Sequence, residues 1–296
     1  MPDSETTNAE LEACASKLEA SSNFRVLRKV PEPAKAEISE TDQLRYAMII
    51  DTETTGLNPR EDEGIELGFL LIAYQDENPR KIVDFGNEIR EPSREIPRIV
   101  QELTGITPEM VKGKRLSKEK VLSALDLANI VIAHNAAFDR PICERLLPEF
   151  SEKPWACSLA EIPWSKYGFE SAKLKYLLMD SGFFFEGHRA LDDCAALNEL
   201  LNSRSPHGRS FFTELMESAR QPSYDFKVRT PYNLRKKMRE LGYRWLQHED
   251  RTGGEWTKTV LASNLKYEEA QILNLKKQGA SLEYIEQNAF SRYRLN

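Results

Sequence analysis

Cysteine is scarce in this 296-residue chain: there are four, at positions 14, 143, 157 and 194, and no C-x-x-C pair. That argues against a disulfide framework and a cysteine-based zinc site, and it points to a reducing compartment, the cytoplasm. Long apolar runs are missing too. None approaches the ~20 residues that a membrane span needs. The opening MPDSETTNAE is acidic and lacks an apolar stretch, so no secretory signal is read there. Histidine is as rare as cysteine, at 134, 188, 207 and 248. What the chain does have is a composition that can fold: 40% hydrophobic and 30% charged residues exclude wholesale disorder. Its length suits one large domain and a smaller one, at about 100–200 residues per domain.

The net charge of −6 is unevenly spread. Residues 206–296 carry 16 Lys and Arg against 11 Asp and Glu, whereas residues 1–205 carry 25 against 36. The acidic body excludes indiscriminate polyanion binding, and the basic tail hints weakly at such contact.

Three regions follow from the patterning. Residues 1–44 are polar. LEACASKLEA (11–20) offers one or two helical turns, and the prolines of VPEPAKAE mark an extended linker, so this arm is expected to be partly flexible. Residues 45–204 read as an α/β domain. YAMIIDTE (46–53) has the near-continuous apolar run of a buried central strand. GIELGFLLIAY (64–74) and KIVDFGNEI (81–89) read as two more strands, with ENPR suggesting a hairpin between them. Further strands are expected at 127–134 and 154–159. Helices are expected after Pro97 up to Gly105, at 136–147 (with Pro141 out of place in it), at 174–182 and at 191–203. Residues 205–296 read as a small basic α+β domain. Thr230 and Pro231 are placed as N-cap and first residue of a helix ending at Gly242. A hairpin follows around a turn from Asp250 to Gly254, then a last helix in YEEAQILNLKKQG. Tyr243, Trp245 and Trp256 read first as the core of this small domain and second as stacking surfaces for a single strand. Arg235, Lys236, Lys237 and Arg239 fit a solvated helix face and a polyanion contact equally well.

Chemistry concentrates in three acidic pieces. Asp51 and Glu53 lie two apart at the end of the first strand, so both carboxylates face one side. Hard oxygen ligands of this kind suit Mg²⁺ or Mn²⁺; a solvated strand end is the plain alternative. Asp139 follows the fourth strand in HNAAFD and, taken alone, is a surface helix acid. In GHRALDDC, His188 precedes Asp193 by five residues, with Asp192 as a competing acid.

Together, DTETTGL, HNAAFD and H-x4-D resemble the DEDDh exonucleases, the ribonuclease-H-like group of the DNA polymerase III epsilon subunit, ribonuclease T and oligoribonuclease. The resemblance covers residues 45–204 and implies a mixed five-stranded sheet flanked by helices. It implies Asp51, Glu53, Asp139 and Asp193 as metal-binding acids for two divalent ions, Mg²⁺ or Mn²⁺, with His188 as general base and Asp193 preferred to Asp192. Thr54 and Leu57 are then the positions that meet the terminal nucleotide, with a structural role an equal alternative for Leu57; His134 and Phe138 are candidates to line the cleft, with the core as the first reading of Phe138. The implied activity is 3′–5′ hydrolysis of DNA to nucleoside 5′-monophosphates. An exoribonuclease, or a proofreading or binding subunit of a polymerase or repair complex, is the alternative. The residues fit this chemistry, because four acids suit two ions clamping a scissile phosphate and imidazole can take a proton at neutral pH. No membrane partner is implied.

Overall fold

The computed structural model describes residues 8–38, 44–75, 81–247 and 253–295. Its larger sheet has five strands: β1 (Arg45–Thr54), β2 (Gly64–Tyr74), β3 (Lys81–Ile89), β4 (Ile130–Ala133) and β5 (Trp155–Cys157), in the order β3-β2-β1-β4-β5. β1, β2 and β3 pair antiparallel, and β4 and β5 continue the sheet parallel to β1. The sheet is therefore mixed, as expected.

Both faces are buried, so the apolar run of β1 divides by alternation. Ala47 and Ile49 join Leu70, Ile72 and Ile132 on one face. Met48 and Ile50 join Leu67, Phe69 and Val131 on the other. Helices α1 (Lys118–Leu127) and α2 (Ala136–Leu146) cover the second face through Val121, Leu125, Ala136 and Cys143. Helices α3 (Ala190–Asn202) and α4 (Phe211–Arg220) cover the first through Cys194, Leu197, Leu201, Phe211 and Leu215. Burying each Leu, Ile or Phe contributes about 1.5–3 kcal/mol, so strands buried on both faces dominate the stability. α4 begins inside the segment read as the small domain, yet its apolar side packs into this larger core.

Local signals mostly act as read. The helix Arg98–Thr104 stops at Gly105, whose φ of 70° is left-handed, a conformation that favours glycine. α2 runs through Pro141. Part of the arm is anchored: Asn8–Glu19 is helical, Arg28–Lys29 pairs with Phe183–Phe184, and Val30 enters the core. The expected ENPR hairpin turn and most of the Asp250–Gly254 turn lie outside the described residues.

The small unit comprises β6 (Ser223–Arg229), α5 (Arg235–Glu240), β7 (Arg244–Gln247), β8 (Gly254–Leu261), α6 (Leu265–Lys276) and β9 (Ser281–Gln287). Its antiparallel sheet runs β9-β6-β8-β7. A βαββαβ order with this strand sequence is the ferredoxin-like arrangement. β6 and β9 were not read from the sequence: both mix charged and apolar residues, and their pairing is long-range. The helix after Pro231 also differs from expectation, since a 3₁₀ turn (Tyr232–Leu234) comes first and α5 starts only at Arg235. Tyr243 and Trp256 are buried core residues, and Trp245 packs edge-on against Trp256 while half exposed.

The chain then returns to the larger unit. Trp155 N–H, on edge strand β5, donates to Ala289 O at 2.7 Å. The fully buried Arg140 guanidinium on α2 donates to Phe290 O and Arg292 O, both at 2.7 Å. Arg292 is itself buried. It donates to Ala219 O at 2.8 Å and stands 2.9 Å from the Glu161 carboxylate, which also accepts the Tyr293 hydroxyl at 2.8 Å. Residues 289–293 thus staple the two units together.

Candidate active site

β1 presents Asp51 and Glu53 on the face that α3 approaches. Across the ladder, Gly68 stands opposite Asp51 and Glu66 opposite Glu53. A Cβ on Gly68 would lie 2.4 Å from the backbone of Ala190, so the absent side chain lets the start of α3 seat directly on the sheet. Glu66, only 1% exposed, holds that seat in place. Its carboxylate accepts from Ala190 N–H at 2.9 Å, from Arg189 Nη2 at 2.8 Å and from Asn87 Nδ2 at 2.7 Å. The sequence reading missed Glu66; its signal was a lone acid inside the otherwise apolar run of β2.

The turn so anchored carries His188 and Asp193. His188 has a φ of 72°, a left-handed conformation that is uncommon for a non-glycine residue. Its backbone N–H donates to Asp193 Oδ2 at 2.9 Å, and its side chain is exposed. One carboxylate oxygen from each of Asp51, Glu53 and Asp193 lies within 4.8 Å of the others. Asp193, not the exposed Asp192, is in this cluster. Asp139 reaches the site from the first turn of α2. It is buried and accepts the Thr52 hydroxyl at 2.8 Å, and it stands outside the three-residue group.

These acids raise one another. Burial and then the charges of Asp139, Asp193, Glu53 and Glu66 push Asp51 well above the carboxylate range. Burial and Asp193 push Glu53 up to about 8, with Arg189 opposing. Burial lifts Asp139 to about 7 against the Thr52 hydrogen bonds, and Asp193 to about 6 against the His188 and Arg189 N–H groups. A hard cation at such a cluster would relieve the repulsion and satisfy the oxygens.

The remaining expected site residues separate. Leu57 is 90% exposed in the loop after β1. Phe138, beside Asp139, is half-buried and outside the hydrophobic clusters of the described residues, so the core reading does not hold for it. Thr54 is buried and donates its hydroxyl to Gly56 O at 2.5 Å, shaping the loop. His134 is committed elsewhere. Nε2 meets Ala172 O at 2.8 Å and therefore carries the hydrogen; Nδ1 accepts from the Ser158 hydroxyl at 2.8 Å. Burial pulls its pKa down to about 4, which makes it a neutral structural histidine.

Residues 48–201 match the exonuclease family RNase_T, and the chain belongs to that family. Among its relatives is a PolC-type DNA polymerase III of Thermotoga petrophila, 38% identical over 171 residues that take in 55% of this chain and 12% of that protein. The DNA polymerase III epsilon subunit of Treponema pallidum is 28% identical over 166 residues, 53% of this chain and 75% of that one. The chain thus spans about an eighth of the PolC-type relative's length. Among solved structures, exonuclease X in complex with 5′-overhanging duplex DNA is 26% identical, with a TM-score of 0.41 over 56% of this chain and 99% of that one. No helix among the described residues is long and apolar enough to cross a membrane.

Proposed function

We propose that the protein is a divalent-metal-dependent 3′–5′ exonuclease that releases nucleoside 5′-monophosphates from single-stranded DNA. The oxygen cluster of Asp51, Glu53 and Asp193 carries this reading: it stands beside Asp139, and no cation is among the main influences on Asp51. An all-carboxylate donor set fits Mg²⁺ or Mn²⁺. The residues that would hold two such ions are Asp51, Glu53, Asp139 and Asp193. Bound there, the ions would reverse the sign of the field that a phosphodiester meets and lower the pKa of the attacking water.

The chain's own groups supply the rest. The exposed His188 imidazole takes the water's proton as attack at phosphorus breaks the bond to the 3′ oxygen of the preceding nucleotide. Its backbone bond to Asp193 ties that base to a ligand acid. Leu57 and Phe138 offer apolar surface to the terminal nucleotide. DNA is the preferred substrate because the relatives are named as DNA polymerase III proteins, and these relatives also support a polymerase as partner.

The test uses 5′-labelled single-stranded DNA and matching RNA, with Mg²⁺, Mn²⁺ or EDTA. A ladder shortening from the 3′ end, lost in EDTA and faster on DNA, is expected. His188→Asn keeps a residue that tolerates the left-handed turn and should slow turnover by about 10²–10⁴-fold, the usual worth of a general base. A product pattern starting from the 5′ end, or full activity in EDTA, would overturn the reading.

A further inference from the structure

The acidic body of the chain contains one concentrated basic stretch. Lys112–Lys120, KGKRLSKEK, holds five cations and one acid in nine residues. Lys114, Arg115 and Lys118 from this stretch line a groove of about 750 Å³ with Arg90 and Arg145. These three side chains are exposed and form no ion pair with any described residue. The groove's acid, Glu91, is occupied by the Gly113 N–H at 2.8 Å. Arg145 donates to the carbonyls of Pro59 and Asp62 rather than to an acid, so its charge is also uncompensated.

The groove is tied to the candidate active site by the sheet. Glu53, Glu66 and Ile89 stand in one row across β1, β2 and β3. Two strand spacings of ~4.8 Å put Ile89 about 10 Å from Glu53, and Arg90 is the next residue. The loop that carries Leu57 runs on from β1, and two of the groove's residues hold it. Arg145 holds it at Pro59 and Asp62, and Arg90 holds it through an ion pair with Glu63 at 3.2 Å. Uncompensated cations gathered along one groove suit a chain of phosphates, which carries a charge at every nucleotide.

We infer that this groove binds the sugar–phosphate backbone of the substrate strand a few nucleotides upstream of its 3′ end. The inference rests on the exonuclease reading and deepens it: it makes the preferred substrate a polynucleotide several residues long rather than a dinucleotide. Tyr243 and Trp256 of the small unit face its core and are not available for this task.

The experiment compares the full chain with Lys114→Gln/Arg115→Gln/Lys118→Gln on two substrates, a DNA 20-mer and the p-nitrophenyl ester of thymidine 5′-monophosphate. The variant should raise KM for the 20-mer at low salt by about tenfold or more. It should also flatten the slope of log(kcat/KM) against log[salt] by about 2, three lost contacts at ~0.7 each. Hydrolysis of the ester and kcat at saturating 20-mer should match the unmodified protein. An unchanged KM and salt slope on the 20-mer would overturn the groove while leaving the exonuclease standing. An equal loss on both substrates would show that the substitutions damage the active site rather than a separate binding groove. Inactivity of the unmodified protein on both substrates would instead overturn the exonuclease reading.

Discussion

Asp51 and Glu161 are both acids set into the larger unit, and they live in opposite surroundings. Around Asp51 each main influence raises the carboxyl: burial first, then four other acids. Around Glu161 burial also raises it, but Arg292, the Cys157 N–H and the Tyr293 hydroxyl pull the other way. One buried acid is completed by its own chain, and the other has no cation of its own chain among its main influences. The difference separates architecture from function within a single fold: partnered buried charge fixes the backbone, whereas like charge gathered without a partner is tolerable only where something binds.

The strongest way to break the comparison is to remove the unpartnered acid. Asp51→Asn should bring hydrolysis to background and, in chelator, raise the melting temperature, because the fold no longer has to hold a carboxyl whose pKa it raises. Lower stability in chelator would mean that Asp51 is structurally paired. Removing a partner from the other cluster should do the reverse. Arg292→Met leaves Glu161 buried and unpaired at a cost of about 3–5 kcal/mol, and melting should fall by roughly 6–20 °C at ~2–4 °C per kcal/mol. Adding Glu161→Gln to that variant should restore part of the loss; an unchanged melt in the single variant would show that the pair is dispensable.

The smallest effect sharpens the contrast by pH. Glu53, Asp139 and Asp193 stand raised to about 8, 7 and 6, so the metal-free folded chain holds protons that the unfolded chain releases. Stability from these groups is therefore fullest below the ordinary carboxylate range and is lost as pH rises through about 6 to 8. In EDTA the melting temperature should fall by a few degrees between pH 5 and 8.5. With excess Mg²⁺ the fall should flatten, since metal displaces the same protons. A pH-independent melt in EDTA would remove this cluster as the cause.

Much of this arrangement was legible before the fold. The five strands follow from their apolar runs and the grouping of Asp51 and Glu53 from the strand's period of two, while the mixed sheet was implied by the resemblance to the DEDDh exonucleases. The choice of Asp193 over Asp192 came from the H-x4-D motif of the family resemblance, and the cluster contains Asp193. Other features needed the third dimension. Glu66 looks like an intruder in an apolar strand until Arg189, 123 positions away, is seen to meet it. His134 sits beside the Asn–Asp motif and looks functional, but its partners Ser158 and Ala172 come from remote segments. β6 alternates Tyr224, Phe226 and Val228 with Asp225, Lys227 and Arg229, a signal the sequence reading passed over, and its partner β9 lies over fifty residues away.

The staple at residues 289–293 sets an order of events in synthesis. Arg140 follows Asp139 directly on α2, and its carbonyl partner Arg292 is 152 positions downstream. At about 5–20 residues per second, that partner leaves the ribosome roughly 8–30 s after Arg140 does. Until then the Arg140 guanidinium has its helix neighbour Glu144 but not the carbonyls of residues 290 and 292, so the packing of α2 is completed only when that segment arrives. The candidate site residues lie between positions 51 and 193, and residues 289–293 complete the setting of the helix that carries one of them.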